Sequence, residues 1–427
     1  MQASPSLASA VDGDRFWADI EAQAMIGALS PRGIHRLALD DQDNRARLWL
    51  MEQGKALGCS AHYDDMGNVF LRREGQNSSL PPLLIGSHLD SQPSGGAYDG
   101  ALGVVAGLAV LRALADQQIA HERSVEVVSW TNEEGARFAP GASGSSWFAG
   151  RRDAETILAA RDDDGVTFQD ALTNCLALLE AQGAQFRATP VVPHAFLELH
   201  IEQGPVLETQ GAPVSVVTGI QGVNWYEVEV NGQSNHAGTT PEASRRDAFM
   251  GAHALVGALK EAVAVHDDQV RFTIGKFALT PNSVNTIAQQ ARFTIDLRHP
   301  DPAVLDALDA AFQRLAEREW SNCTARLEAT SRVAPVAFDD HLVAVLDDAV
   351  RAFWPRAPRL VSGAFHDAIH LAHLCPTAML FTPCRGGISH HPDEHIERAD
   401  AEVAVRVLAH AVERLLTTRR DSRDPDH

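Results

Sequence analysis

The sequence has few cysteines, a deficit of positive charge and no long apolar run. Its 427 residues include five cysteines, an odd number, and none of them form a CxxC pair. We therefore expect reduced, mostly buried thiols, as in the cytoplasm, and neither a disulfide framework nor a cysteine-bound metal. No stretch approaches the about 18 uninterrupted apolar residues that a membrane-spanning helix needs, which excludes such a helix.

Basic residues are outnumbered by acidic residues, 36 to 56, and the formal net charge is −20. This balance makes nucleic acids and anionic membranes poor partners, and it is compatible with a site that binds cations. The N-terminus lacks a basic segment followed by an apolar one, so we expect no signal peptide and a cytoplasmic location.

The first half of the chain alternates between predicted strands and helices. A chain of this length exceeds one typical core, so we expect two domains. Interleaved strands and helices indicate an α/β layer with a largely parallel sheet. Strands are predicted at 83–87, 124–130 and 195–201, and helices at 101–114 and around 170–182.

Residues after Gly211 follow a different pattern, in which strand-rich segments surround two long helices at 244–265 and 302–320. The resulting order, β-α-β-β-α-β, is typical of a small split-βαβ (ferredoxin-like) domain. The alternation of strands and helices resumes from about Ala334.

The sequence thus predicts an α/β protein with a discontinuous catalytic domain, whose mixed, mostly parallel sheet is flanked by helices. The catalytic domain would comprise residues 1–211 and 334–427, and the inserted domain residues 212–333. We expect the polar tail, about 418–427, to be disordered.

Side chains of the metal-ligand type follow four predicted strands. The carboxyl ends of parallel strands meet at one edge of a sheet, where sites assemble. Each residue alone is more typical of a core histidine, an acidic corner or a plain loop, but together they point to a site. Imidazole and carboxylate without thiolate suit Zn²⁺, Mn²⁺, Co²⁺ or Ni²⁺, and three of each suffice for two ions if one Asp bridges them. The candidates are His88, Asp99, Glu133, Glu134, His200 and His390.

Five motifs, spread in order over nearly the whole chain, resemble those of the dinuclear-metal N-carbamoyl-L-amino acid amidohydrolases. That group includes β-ureidopropionase-type and allantoate amidohydrolases, and it lies within the superfamily of aminoacylases and dinuclear-zinc exopeptidases. The motifs are GSHLDSQPSGGAYDG, TNEEGARFAP, LELHIEQGP, GQSNHAGTTP and GGISHHPDE.

The resemblance implies two divalent ions per subunit, Zn²⁺ or Mn²⁺, with Co²⁺ and Ni²⁺ as alternatives. His88, Asp99 and His200 would hold one ion, while Asp99, Glu134 and His390 would hold the other, so that Asp99 bridges them. Exopeptidase relatives usually carry an acid at the position of His200, which favours the carbamoyl-amide hydrolases.

The resemblance also implies the catalytic groups. Glu133 would be the general base, and Asp90 would orient His88. Two cations that share a water lower its pKa and supply hydroxide, which would attack the carbamoyl carbon. His236 would help to stabilise the oxyanion. An N-carbamoyl amino acid would yield the amino acid, CO₂ and ammonia.

Substrate recognition is expected to involve the inserted domain. Asn285 and Arg298 fall on neighbouring predicted strands. A guanidinium such as that of Arg298 binds an α-carboxylate in bidentate fashion, although an ordinary ion pair at a strand end is an equal alternative. Gln203 suits a urea-like amide because it offers a donor and an acceptor. His366 is a further candidate for substrate binding.

The resemblance further implies a homodimer formed through the inserted domain, which would close over a small substrate with an amide or ureido group and a carboxylate. Three departures affect specificity: relatives follow Asn285 with a Pro-Gly turn, and they have smaller residues at the positions of Trp147 and Phe365. These two aromatic residues either pack in the core or line the pocket.

Two other enzymes on the same scaffold are alternatives to the carbamoyl-amino-acid amidohydrolase: an allantoate-type amidohydrolase, and an aminoacylase or exopeptidase. A catalytically silent binding protein is disfavoured, since Glu133 and every predicted ligand are present.

Overall fold

The computed structural model describes residues 6–30, 32–188 and 191–417, and the predicted disordered tail lies outside these residues. The chain divides into two compact units. The first comprises the residues up to Thr218 together with those from Phe338, and the second is Gly219–Ala337.

The helices and strands are numbered in chain order. The helices are α1 (Leu7–Ala10), α2 (Gly13–Ala24), α3 (Asp41–Ala56), α4 (Ala101–Asp116), α5 (Ser143–Phe148), α6 (Ala154–Leu158), α7 (Phe168–Ala181), α8 (Val206–Gln210), α9 (Ala248–Val263), α10 (Pro302–Ala316), α11 (Asp340–Phe353), α12 (Ala368–Leu371) and α13 (Arg398–Thr417). The strands are β1 (Ser60–Tyr63), β2 (Val69–Arg73), β3 (Leu83–His88), β4 (Val125–Trp130), β5 (Gln185–Phe186), β6 (Ala195–Ile201), β7 (Ser215–Ile220), β8 (Gly222–Asn231), β9 (Arg271–Thr273), β10 (Phe277–Thr280), β11 (Gln290–His299), β12 (Thr324–Val333), β13 (Val336–Ala337), β14 (Arg359–Ser362) and β15 (Thr377–Thr382).

The first unit is built on a large mixed sheet with the order β7-β15-β6-β3-β4-β2-β1-β5. Its four central strands, β15, β6, β3 and β4, are parallel, whereas β7 and β2 pair with them in antiparallel fashion. The predicted mixed α/β fold with a large, mostly parallel sheet and helices is therefore confirmed.

The parallel centre is apolar because helices cover it. Every residue of β3, β4 and β6 is buried, as are most residues of α4. Close pairing of β3 with β4 requires a glycine, since a Cβ on Gly86 would overlap the carbonyl oxygen of Val128. The register pairs His88 with Trp130, so these two strands end at the same edge of the sheet.

The second unit contains an antiparallel sheet with the order β10-β11-β8-β12, and β9 also pairs with β11. Along the chain, its elements follow the order β8-α9-β9-β10-β11-α10-β12, which is the predicted β-α-β-β-α-β order with one additional short strand, β9. Its apolar core includes Tyr226, Val228, Leu255, Phe293, Leu308 and Phe312.

Two predicted helices of this unit are shorter in the structure. Asp247 caps α9 by accepting a hydrogen bond from the backbone N–H of Phe249, so the helix begins four residues later than expected. The helix α10 ends at Ala316, and the following Trp320 instead forms an isolated backbone pair with Cys323.

All five cysteines are free thiols, and four of them are buried, in agreement with the sequence. Burial raises the pKa of Cys375 to about 12, which keeps this thiol protonated and inert. Within residues 6–30, 32–188 and 191–417, every helix is too short or too polar to cross a bilayer.

Candidate metal centre and active site

Two histidines at strand ends face one carboxylate oxygen. His88 ends β3 and His200 lies near the end of β6, and their Nε2 atoms are 3.5 Å and 3.1 Å from Oδ1 of Asp99. The Nδ1 atom of His88 is 2.9 Å from the carbonyl oxygen of Asp90, and that of His200 is 3.0 Å from the carbonyl oxygen of Ile201. These carbonyls favour a proton on Nδ1, so Nε2, the ring atom beside Asp99, is the one that would bind a cation.

The second oxygen of Asp99 faces a different pair of ligand-type residues. Its Oδ2 atom lies 3.4 Å from Nε2 of His390, which is also 3.4 Å from Oε2 of Glu134. In each of the two groups, the three candidate ligand atoms lie within 4.8 Å of one another. The carboxylate of Asp99 therefore belongs to both groups, one through each oxygen.

The space for the first group depends on a residue without a side chain. Gly100 has a positive φ of 64°, and a Cβ at this position would overlap the imidazole of His88. Glycine is required here both by the backbone conformation and by the ring. The consecutive residues Asp99 and Gly100 thus provide a candidate ligand and the room for the His88 ring.

Electrostatics distinguish Asp99 from the other carboxyl groups. Burial opposes its ionisation, but His200, His390 and His88 outweigh that effect and hold the pKa of Asp99 well below its usual range. Asp99 is consequently anionic, as a bridging ligand must be.

The neighbouring carboxyl groups show the opposite behaviour. Burial, and then the charge of Asp99, raise the pKa of Glu134 and of Glu394 to about 7. Burial also raises the pKa of Glu133 well above its usual value, with Asp367 and Glu134 adding to the effect. Buried carboxylates crowded around imidazoles match the donor chemistry of Zn²⁺ or Mn²⁺, and a cation would relieve their repulsion.

Glu133 lies beside both groups, in the turn after β4. Its Oε2 atom is 3.5 Å from Nε2 of His88. The carboxylate of Asp90 accepts hydrogen bonds from the backbone N–H groups of Glu133 and Glu134, each at 3.2 Å. That carboxylate is 3.7 Å from His88, farther than the Asp90 carbonyl, so Asp90 touches His88 mainly through its backbone and holds the acidic turn with its side chain.

Gln203 and His366 also lie at this centre. The side-chain amide of Gln203 donates a hydrogen bond to Oδ2 of Asp99 at 2.8 Å. Its Oε1 atom is buried and has no hydrogen-bond partner among the described residues. The ring of His366 packs edge-to-face on that of His200, with centroids 4.4 Å apart, and its Nε2 bonds to Ser362 at 2.8 Å.

The remaining predicted residues belong to the second unit. His236 lies exposed in a loop, where the next residue, Ala237, donates its backbone N–H to the carbonyl of Asn285 at 3.0 Å. The prediction of a strand at Asn285 is wrong: it lies in the loop before β11, because the chain turns there. Arg298 forms a bidentate ion pair with Asp296, at 2.8 Å and 2.9 Å, as the alternative of a paired strand end allowed.

The two unusual aromatic residues differ in environment. Trp147 is partly buried against the apolar cluster that contains Phe138 and Phe168, which matches the packing alternative. Phe365 is 41% exposed, and its ring is 5.6 Å from that of His370.

Sequence reasoning missed two buried acids. Glu394 accepts the backbone N–H groups of Tyr98 and Asp99 at 3.0 Å, and so holds the candidate bridge. Glu198, whose side chain accepts hydrogen bonds from β3 and α12, precedes His200 by two residues on one strand and shares its face. The sequence offered a signal for each acid. The two-residue period of a strand places Glu198 on the face of His200, and Glu394 ends the motif GGISHHPDE.

Comparison with known proteins confirms the resemblance found in the motifs. The model of peptidase family M20/M25/M40 matches residues 84–414. The chain is 36% identical to an N-carbamoyl-L-amino-acid amidohydrolase of Rhizobium meliloti over 96% of this chain and 98% of that one. It is 33% identical to an allantoate amidohydrolase of Bacillus subtilis, over 91% and 94% of the respective chains.

A solved structure of a hydantoinase/carbamoylase family amidase from Burkholderia multivorans superposes with a TM-score of 0.90 and 40% identity. The superposition covers 96% of this chain and 98% of the other. The family match, at residues 84–414, extends over both units and spans the positions of every predicted site residue. By its sequence, its fold and its clustered histidines and acids, this chain belongs to peptidase family M20/M25/M40.

Proposed function

We propose that the protein is a metal-dependent amidohydrolase that cleaves the carbamoyl C–N bond of an N-carbamoyl amino acid. The observation that carries this proposal is the division of one carboxylate, Asp99, between two groups of ligand-type residues beside Glu133. Similarity to the amidohydrolase of Rhizobium meliloti supports the choice of substrate class.

The proposed centre holds two divalent ions, Zn²⁺ or Mn²⁺. His88, Asp99 and His200 would bind one, and Asp99, Glu134 and His390 the other. Such ions lower the pKa of a water that they share and polarise the scissile carbonyl group. The fit rests on the donor set, which contains imidazole and carboxylate but no thiolate.

Glu133 is the proposed general base. It lies next to the ligand Glu134 and is outside both groups of candidate ligands, so its carboxylate is free to accept the proton of the attacking water. The same proton then passes to the leaving nitrogen. Hydrolysis of the ureido group by one water would yield the amino acid, CO₂ and ammonia.

Substrate binding is assigned to groups in both units. The unpartnered Oε1 atom of Gln203 is suited to accept a ureido N–H, and His366 packs beside the candidate ligands. In the second unit, His236 would stabilise the oxyanion, while Asn285 and Arg298 would bind the carboxylate.

An allantoate-type activity is the second candidate. Allantoate also carries a ureido group and a carboxylate, and the relative from Bacillus subtilis is named for that substrate. The two candidate activities would use the same metal centre. Their substrates differ in the groups attached to the carbon atom that bears the ureido group.

We further propose that the second unit, which the sequence predicted as residues 212–333 inserted between 1–211 and 334–427, serves as a lid and a dimerisation domain. Exposed apolar side chains on this unit support the proposal that a second copy of the chain covers one of its faces. Phe249 and Phe277 are each 43% exposed, their rings are 6.3 Å apart, and Met250 beside them is 44% exposed.

Replacing Asp99 by Ala is expected to remove both ions, because each group loses a ligand. Metal content after dialysis, measured by mass spectrometry, should fall from two ions per chain to near zero. Asp65→Ala, at an exposed position, is the matched control and should keep both ions. Retention of one ion by Asp99→Ala would show that Asp99 does not bridge.

Ammonia release should identify the substrate. The panel contains N-carbamoyl-L-α-amino acids, N-carbamoyl-β-alanine, allantoate and N-acetyl amino acids, tested after loading with Mn²⁺ or Zn²⁺. We expect turnover of one carbamoyl class, lowered about 10²–10⁴-fold by Glu133→Gln with the metal content unchanged. Release of ammonia from allantoate alone would select the second candidate, and hydrolysis of N-acetyl substrates alone would contradict both.

Arg298→Gln is expected to raise KM for the carbamoyl amino acid more than about ten-fold, since a charged hydrogen-bond pair is lost. Arg292→Gln removes an exposed arginine from the same strand, where it pairs with Glu229, and should leave KM unchanged. Equal effects of the two substitutions on KM would contradict a carboxylate-binding role for Arg298.

The dimer proposal predicts a molar mass in solution of twice that of one chain, measured by light scattering on the eluting peak. Phe249→Asp together with Phe277→Asp should shift the mass to that of a single chain, because charge in a covered apolar face is costly. A single-chain mass for the unaltered protein would refute the dimer.

A further inference from the structure

A short segment before α3 lies along the loop that joins β3 to α4 and carries the candidate ligand Asp99. Ile34 and Gly95 exchange two backbone hydrogen bonds, at 3.0 Å and 3.1 Å. The next residue, His35, places Nδ1 2.7 Å from the carbonyl oxygen of Pro93. The segment therefore contacts alternate residues of the loop, through its backbone at Gly95 and through the imidazole of His35 at Pro93.

Arg36 continues this pattern and extends it with its side chain. Its backbone N–H donates to Oγ of Ser91 at 3.1 Å, and its carbonyl accepts the N–H of Ser91 at 2.8 Å. The guanidinium donates to the carbonyl oxygen of Leu89 at 2.5 Å. It also reaches the carbonyls of Gln23 and Ile26, at 3.0 Å and 3.2 Å, around the end of α2.

The environment of Arg36 is unusual for a charged residue. Its side chain is completely buried, and within the described part of the chain no carboxylate lies within ion-pair distance of it. Burial lowers the pKa of Arg36 to about 10, opposed by Asp43, Asp90 and Asp40, so the group stays charged at neutral pH. An apolar side chain would be cheaper to bury at this position, which indicates a use beyond stability.

The carbonyl that Arg36 binds lies between two residues of the candidate site. Leu89 separates His88 from Asp90, whose carbonyl sets the tautomer of His88. The Asp90 carboxylate in turn holds the backbone of Glu133. A displacement at Leu89 would therefore move a ligand and the general base together.

We propose that Arg36 is a positioning residue for the metal centre, which fixes the loop from His88 to Ser91 through the Leu89 carbonyl and Ser91. This inference rests on the proposed function only for its effect on turnover. Its effect on cation binding is independent of the substrate. Groups that orient ligands from outside the coordination shell typically change metal affinity about 10–100-fold.

The test measures cation affinity of the metal-stripped full-length protein by calorimetric titration with Mn²⁺. Arg36→Met should weaken binding about ten-fold or more and lower kcat to a similar extent, with KM changed little. Arg36→Lys keeps the charge and one donor toward Leu89, so it should recover part of the affinity. Ser91→Ala removes the hydroxyl that accepts the Arg36 N–H and donates to the Gln92 carbonyl, but keeps the backbone bond to Arg36, so it should weaken binding less than Arg36→Met does.

Arg187→Met is the matched control. Arg187 is another largely buried arginine of the first unit, but it pairs with Glu126 and lies over Phe70, neither of which is a candidate ligand. It should lower the melting temperature and leave Mn²⁺ affinity and kcat unchanged.

Three results separate the possibilities. A melting temperature lowered by Arg36→Met with unchanged Mn²⁺ affinity would overturn the inference and leave the proposed function standing. If Arg36→Met does not fold, unchanged affinity in both Arg36→Lys and Ser91→Ala would overturn it equally. Failure of the unaltered protein to bind Mn²⁺ or Zn²⁺ would overturn the proposed centre together with this inference.

Discussion

The structure of the site depends on one carboxylate that is shared by two groups of side chains. Asp99 is buried and still anionic, because three imidazoles outweigh the cost of its burial, and Glu394 fixes its backbone by accepting its N–H. The candidate histidine ligands lie on either side of this charge: His88 and His200 face one carboxylate oxygen, and His390 faces the other. The parallel centre of the sheet supplies the first two from strands that end at the same edge.

Burial of so many ionisable groups costs solvation free energy, which contacts within the first unit offset. These contacts form three successive layers around Asp99. The innermost layer pairs carboxylates with imidazoles. The next layer consists of backbone groups, in which the carboxylate of Asp90 accepts N–H groups and carbonyls accept from His88 and His200. The outermost layer includes Arg36, whose charge is distributed over carbonyl oxygens. A rigid site results because each layer restricts the next.

The sequence predicted the central strands and the close approach of the candidate ligand residues, for physical reasons. Strand β6 matches its predicted bounds, 195–201, because its apolar run is bounded by a proline-rich segment and a polar turn. The prediction placed Asn285 on a strand because of an alternation of apolar residues near it. Such an alternation also occurs in loops, and in the structure Asn285 lies in a loop whose backbone carbonyl accepts a hydrogen bond from Ala237. Arg36 was not foreseen at all. An arginine in a sequence is typical of the surface, and only tertiary packing reveals that its partners are carbonyls.

The glycine that follows Asp99 has a consequence for reading related sequences. His88 occupies the volume that a methyl group at position 100 would fill, so this candidate ligand can adopt its position only when residue 100 has no side chain. A homologous chain can therefore retain every histidine and acid of the centre and still lack the room to use them. Position 100, which contributes no chemical group, is as diagnostic of an intact centre as any of the residues that would touch the ions.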